Sequence, residues 1–385
     1  MARGEHPEIP TLARMIAYPT VSDRPMVELA AYVAQRAEDQ GFRVTLYEDD
    51  IEAGKANVVC EAGPEGVPGG VTLSGHLDVV PVEGQSWASD PFVLTERDGK
   101  LFGRGTADMK GFIAASIEAM ERVPIAKLTR PLALVWTYDE EVGCHGSAKL
   151  TKRLRDAGRS LPDEALIGEP TDFQVLRMHP GHVTIVIRTA GESAHSSKPD
   201  LGASAIKAMG RVLLMLEDLE QELIGERRFE GVLERPWVTM NAGMLKGGAA
   251  VNMVPDQCEL KMGYRPLPGD DPLDVARRVE RRLAELPLPT GTRAEVEVLR
   301  RTPSLLTPPG LPLEGLLTEH ADHHEVGACP FATDGGNLAA LGVRSLIFGP
   351  GSINVAHKPD EHVERGALAR AVNIVEAVVS ARCLG

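Results

Sequence analysis

Histidines and carboxylates, the side chains that most readily hold divalent cations or move protons, stand in this sequence at the ends of apolar runs. GVTLSGHLDVV places His76 and Asp78 one residue apart, and PLALVWTYDEE closes on three consecutive acids, Asp139, Glu140 and Glu141. EALIGEP ends in Glu169, and GVRSLIFGPGSINVAHKPDEHV carries His357 in the segment after another apolar run. A neutral imidazole can bind a cation through one ring nitrogen while a carboxylate fixes the other. A histidine near a strand end is also an ordinary hydrogen-bonded residue. Asp108, in FGRGTADMKGFIAA, precedes a helical pattern, where it can cap the helix or hold a cation. Three acids at the end of a poorly solvated strand repel one another by several kcal/mol unless a cation or a raised pKa relieves them; in an exposed turn they need neither. Two histidines with three carboxylates, and no cysteine among them, suit a pair of divalent ions at a hydrolytic site.

The elements that must position these groups follow from the apolar patterning. RVTLYE, ANVVCEAG, GVTLSGHLDVV, PLALVWTYDEE, EALIGEP and GVRSLIFGPG have the length and β-branched content of strands. PMVELAAYVAQRAEDQG (25–41), MKGFIAASIEAMERV (109–123) and GCHGSAKLTKRLRDAG (143–158) are spaced as helices. Alternation of the two predicts an α/β sheet, and groups delivered one by one at strand ends are what an active site at the carboxyl edge of such a sheet requires. Beyond residue 178 the pattern becomes β-α-β-β-α-β, a ferredoxin-like unit. The expected organisation is therefore a catalytic domain over 1–178 and 303–385, interrupted by an inserted domain over 179–302.

The 385 residues, at about 150 per domain, suggest two or three domains. A formal charge of −14 speaks against nucleic acid and anionic membranes as partners, since both need a basic surface. The arginines of DVARRVERRLAEL (274–286) alternate with glutamates as on a solvated helix face. The amino-terminal stretch MARGEHPEIPTLARMIAYPTVS has no sustained apolar core, and the expected location is cytoplasmic. Cys60, Cys144, Cys258, Cys329 and Cys383 are scattered and read as reduced thiols. His145, His179 and His182 read as structural, and EHADHHEVG (319–327) as a solvated helix end or loop.

Six separated motifs, SGHLDVVP, GRGTADMKGF, DEEVGCHG, GEPT, GESAHSS and GPGSINVAHKPDEHV, resemble in this order the dinuclear zinc peptidase and deacylase family of glutamate carboxypeptidases, aminoacylases, desuccinylases and acetylornithine deacetylases. The resemblance implies a catalytic domain with a mixed sheet flanked by helices, and an inserted ferredoxin-like α+β domain serving as lid and dimerisation element. It implies two zinc ions, with cobalt as a substitute. Asp108 would bridge both, His76 and Glu169 would complete one, Glu141 and His357 the other, and Asp78 would orient His76. Glu140 would be the general base, His195 of GESAHSS a donor to the scissile carbonyl acting across a homodimer, and Asn252 and Arg265 substrate-binding groups, with Arg265 clamping a carboxylate. The implied reaction is hydrolysis of an N-acyl-L-amino acid, foremost N-acetyl-L-ornithine as in the acetylornithine deacetylases, the longer stretches being most like theirs. Desuccinylation, general N-acyl-amino-acid hydrolysis and dipeptide or carboxypeptide cleavage use the same metal set. One departure bears on the substrate: acetylornithine deacetylases commonly carry TEAG where this chain has ATDGGN, so Asp334 replaces a glutamate expected near the substrate.

Overall fold

The computed structural model describes residues 6–22 and 24–385; residues 1–5 and 23, and with them the start of the amino-terminal stretch considered above, lie outside the described residues. The apolar runs form strands as their composition predicts. Those of the first unit pair in the order Arg43–Glu48, Ala56–Ala62, Leu132–Thr137, Val71–His76, Glu164–Ile167, Arg344–Ile347, Gln174–His179. Four of these, Leu132–Thr137, Val71–His76, Glu164–Ile167 and Arg344–Ile347, run parallel, while Arg43–Glu48 and Ala56–Ala62 pair antiparallel at one side. Val71–His76 and Leu132–Thr137 are buried along their whole length, which is why they read as continuous apolar runs rather than alternating ones.

Helices cover the sheet. Lys110–Met120 is buried at every residue, packed against Glu8–Ile16 and Arg365–Val379. Val27–Asp39 and His145–Asp156 pack on the Ala56–Ala62 strand. Among the described residues no helix is long and apolar enough to cross a membrane.

The chain divides into two compact units. The first closes at Met178 and resumes over Thr307–Gly327 and Thr333–Gly385; the second holds His179–Leu306 and Ala328–Ala332. The last strand of the second unit ends at Thr302, paired with His182, and the unit runs on to Leu306. Its four strands pair antiparallel in the order Thr239–Gly247, Gln257–Arg265, His182–Ala190, Arg293–Thr302, with helices Ala205–Gly225 and Asp274–Glu285. The arginines of Asp274–Glu285 pair with acids, Arg278 with Glu226 and Arg277 with Asp271, as a solvated face does. One expectation changes: 319–327 contains the exposed start of a strand, His323–Ala328, beyond the helix end at Glu319.

Candidate metal centre

The four parallel strands deliver their groups at one edge. His76 is the last residue of Val71–His76; Asp139, Glu140 and Glu141 follow Leu132–Thr137; Glu169 follows Glu164–Ile167; and the loop with His357 follows Arg344–Ile347. Asp108 comes from the loop before Lys110–Met120, whose N-cap is Met109 with no side-chain cap, so Asp108 does not serve as the cap. Gly168 is required beside Glu169, since a Cβ there would lie 1.9 Å from the Phe112 ring.

The geometry draws five of these side chains into two triads that share Asp108. His76, Asp108 and Glu169 form one and Asp108, Glu141 and His357 the other, with the candidate ligand atoms of each within 4.8 Å of one another. Asp108 Oδ1 is 3.0 Å from His76 Nε2, whereas Asp108 Oδ2 is 3.2 Å from His357 Nε2. Glu169 Oε2 lies 4.0 Å from His76 Nε2 and Glu141 Oε2 lies 3.0 Å from His357 Nε2. One carboxylate therefore turns one oxygen to each triad.

The three acids of the 139–141 turn separate. Asp139 is at a left-handed φ of 53° and its Oδ1 accepts from Lys55 Nζ at 2.5 Å. Glu141 joins the second triad. Glu140 belongs to neither, and its Oε1 accepts from the Cys144 thiol at 3.4 Å. Asp78 meets the His76 ring mainly through its backbone. The strand stops at His76, whose Nδ1 lies 2.9 Å from the backbone carbonyl of Asp78, with the carboxylate at 3.7 Å. The Asp78 carboxylate instead accepts from the backbone N–H groups of Glu140 and Glu141, at 3.1 and 3.2 Å, and from the Ser22 hydroxyl at 2.8 Å. Three converging donors outcompete a longer contact to the ring.

Electrostatics marks the site as short of positive charge. Burial, reinforced by Glu169, raises the Glu140 carboxyl well above the ordinary range, and burial together with Asp108 does the same to Glu169. Glu141 is pushed up to about 7 by burial and Asp108, against the hydrogen bond from His357. Burial opposes charge on Asp108 too, but the hydrogen bonds from His357 and His76 prevail and hold it below the usual range. His357 rises to about 10 through its bonds to Asp108 and Glu141. For His76, burial is outweighed by Asp108 and the surrounding acids, so its pKa also rises. Cations placed among these groups would replace the protons that otherwise relieve the crowd. Carboxylate oxygens and imidazole nitrogens are the donors divalent zinc-like ions accept, so the residues fit such a group.

Sequence reasoning missed Glu361. It is fully buried, and its carboxylate accepts from the backbone N–H groups of Gly105, Ala107 and Asp108 at 2.9 to 3.1 Å and from Arg104 at 2.6 Å. It therefore moulds the loop that presents Asp108, through charge-assisted bonds in a low-dielectric interior. A carboxylate a few residues after His357, with an arginine inside the Asp108 motif, was the available signal. Asp334 also takes another role: its two oxygens accept from the Thr137 and Ser147 hydroxyls, each at 2.5 Å, which anchors it in the first unit's interior.

In the second unit His195 and Asn252 lie on facing segments, Ser196 N–H donating to Asn252 O at 3.0 Å and Val254 N–H to Ala194 O at 2.8 Å. Ser197 donates to His195 Nδ1 from its backbone N–H (3.2 Å) and its hydroxyl (2.7 Å). With Nδ1 accepting from the backbone N–H, Nε2 is the ring nitrogen left to donate. Arg265 ends the Gln257–Arg265 strand, at the far end from Gln257, which pairs with Ala190 just before the His195 loop. At ~3.3 Å per residue, roughly 25 Å of strand separates the two positions.

The sequence pattern of peptidase family M20/M25/M40 matches residues 72–381. The chain belongs to this family. It is 34% identical over 379 residues to the acetylornithine deacetylase of Myxococcus xanthus, covering 97% of each chain, and 34% identical over 384 residues to that of Proteus mirabilis (strain HI4320), covering 96% of this chain and 95% of the relative. Among solved structures, an M20 family metallo-carboxypeptidase from Sulfolobus solfataricus superposes with a TM-score of 0.75 at 18% identity, covering 97% of this chain and 98% of that one. A dinuclear metal-binding M20 peptidase from Bacillus subtilis gives 0.67 at 16% identity, with 97% and 96% covered. The mixed sheet flanked by helices is thus the fold of the M20 peptidases.

Proposed function

We propose that this chain hydrolyses the amide bond of N-acyl-L-amino acids, with N-acetyl-L-ornithine as its substrate, and that it holds two zinc ions, replaceable by cobalt. The observation that carries the reading is the division of Asp108 between two triads, one oxygen to each. The two relatives that share the whole length of the chain are named for deacetylation of acetylornithine. When bound, a pair of such cations lowers the pKa of a water and polarises the scissile carbonyl.

The chain's own residues divide the remaining work. His76 and Glu169 would hold one cation, Glu141 and His357 the other, and Asp108 would take part in both. Glu140, next to a ligand yet outside both triads, takes the proton of the attacking water and passes it to the departing amine. Its bond from Cys144 engages Oε1 and leaves Oε2 for that proton. His195, with its proton on Nε2, donates to the oxygen that becomes negative as water adds. Asn252 beside it binds the acyl-amino acid, and Arg265, which has no acidic partner among the described residues, pairs with the free carboxylate. Asp78 is a positioning group through the Glu140 and Glu141 amides.

A homodimer through the second unit suits this assignment. His195 and Arg265 are too far apart in one copy for a small substrate to touch both, whereas a partner can supply one of them. The Thr239–Gly247 strand lies at the edge of its sheet and exposes Met244 and Leu245, an edge that proteins cover or pair. Buried thiols at Cys60, Cys144, Cys258 and Cys383 suit a cytoplasmic enzyme.

Initial rates of the zinc- or cobalt-loaded protein on N-acetyl-L-ornithine, N-succinyl-diaminopimelate, N-acetyl-methionine and a dipeptide test the reading. The expected result is highest kcat/KM on N-acetyl-L-ornithine. Preference for the dipeptide would overturn the deacylase assignment, and preference for another acyl-amino acid would move the substrate while leaving the reaction in place.

A further inference from the structure

Lys55 lies in the loop before the Ala56–Ala62 strand, and it is 4% exposed. Its ammonium makes two contacts: Asp139 Oδ1 at 2.5 Å, and the backbone carbonyl of Ser22. A buried lysine costs several kcal/mol in desolvation unless paired, so the pairing with Asp139 explains why the cation is tolerated there. It does not explain why both charges are kept at a place that two apolar side chains could fill.

The surroundings supply the reason. Asp139 is the pivot of the acidic turn, at φ 53°, a conformation that a non-glycine residue keeps only when its surroundings hold it there. The next two residues turn their N–H groups onto the Asp78 carboxylate and send their side chains apart, Glu140 toward Cys144 and Glu141 toward His357. Ser22, the second partner of Lys55, donates its hydroxyl to the same Asp78 carboxylate. Lys55 thus grips the pivot from one side and, through Ser22, the Asp78 anchor from the other. The three segments, 20–22, 55 and 139–141, converge on it from distant parts of the sequence.

We infer that Lys55 is a positioning residue for the amide hydrolysis, clamping Asp139 and the Ser22 segment so that Glu140 and Glu141 leave one backbone turn in the two directions that the reaction needs. Lys55 is absent from both metal triads and acts only through Asp139 and Ser22. The inference rests on the amidohydrolase reading above. A turn that relaxes by about 1 Å would cost on the order of 10²-fold in rate while substrate still binds.

The test compares the parent enzyme with Lys55→Met and Asp139→Asn, on the best substrate of the parent. The expected result for Lys55→Met is a kcat about 100-fold lower, KM within about threefold, two metals still bound at saturating metal, and a changed visible spectrum of the cobalt-loaded protein as Glu141 shifts. Asp139→Asn, nearly isosteric and still able to accept from Lys55, is expected to lose about tenfold in kcat with the same unchanged KM. A parental kcat and cobalt spectrum in folded Lys55→Met would overturn the inference. So would a loss of kcat that merely tracks lost metal and a lowered thermal midpoint, the behaviour of a purely structural pair. If Lys55→Met does not fold, Asp139→Asn decides, and parental kcat there overturns it. A parent inactive on every acyl-amino acid would instead fault the functional reading, and the cobalt spectra of the variants would still read the position of Glu141.

Discussion

In the first unit, His76, Asp108, Glu141, Glu169 and His357 gather their ligand atoms into two triads, most of them buried and each delivered by a strand end or by a loop that a second carboxylate moulds. In the second unit, His195 is an exposed loop residue, Asn252 faces it, and Arg265 ends a strand far along the same sheet. Parallel strands fix the first set, because side chains at their carboxyl ends need no partner to converge. The second set converges on nothing within its own unit. On the proposed assignment the first set is complete within its own unit and the second set supplies further groups to the reaction, and mutations should separate the two behaviours.

The largest expected effect belongs to the first unit. Glu140→Ala should lower kcat by about 10²–10⁴-fold while metal content stays at the parental level, measured by elemental analysis beside steady-state rates. Loss of metal with parental activity per bound metal would make Glu140 a ligand and break the division between triads and base. His195→Ala should also disable the enzyme, yet be rescued from outside. Mixed with Glu140→Ala subunits under exchange, it should recover about a quarter of parental activity, since half the dimers then hold one complete site. No recovery in demonstrably mixed dimers would place His195 in its own protomer's site.

Asp334 sharpens the comparison from the other direction. The sequence places it where a glutamate is expected near the substrate, but its two oxygens are taken by Thr137 and Ser147. Asp334→Ala should therefore cost about 2–4 kcal/mol of stability, read as a lowered denaturant midpoint, with KM within about twofold. A large rise in KM with stability intact would return Asp334 to the substrate.

What the sequence made legible follows the same line. His76, Glu141, Glu169 and His357 were readable because a parallel sheet writes its site as apolar runs with polar ends, and four such runs became the four parallel strands. Asp108 was ambiguous, since a residue before a helix serves equally as cap or ligand, and only the Met109 cap position resolved it. Glu361, Lys55 and Ser22 were invisible for a physical reason: each acts on backbone or on another charge brought near by the fold, over separations such as the 84 positions from Lys55 to Asp139. Asp78 meets His76 chiefly through its backbone carbonyl, and its carboxylate's bonds to the Glu140 and Glu141 amides were not legible because they join segments far apart in the sequence. The inserted unit was readable as β-α-β-β-α-β, but the use of its residues came only from the family resemblance.

A further expected effect, on stability rather than rate, comes from the histidines. In the first unit His76 and His357 sit among carboxylates, His357 rising to about 10, whereas His179 and His182 of the second sit among arginines and apolar atoms. Burial lowers His179 to about 4, with Arg265 adding to it, and burial with Arg300 and Arg265 lowers His182 to about 4 as well. The unfolded rings keep their ordinary pKa of about 6.5. Between 6.5 and 4 the unfolded state therefore binds more protons than the folded one, so stability rises with pH across this window. The contribution is complete above 6.5, falls away as the pH drops toward 4, and changes no further below it. Denaturant midpoints of the parent should accordingly fall faster between pH 6.5 and 4 than those of a variant with both histidines replaced by glutamine, which has no proton to take up. Parallel curves for the two proteins would mean that these rings are charged or solvated in the folded state, and the contrast between an acid-lined first unit and a cation-lined second one would not extend to their histidines.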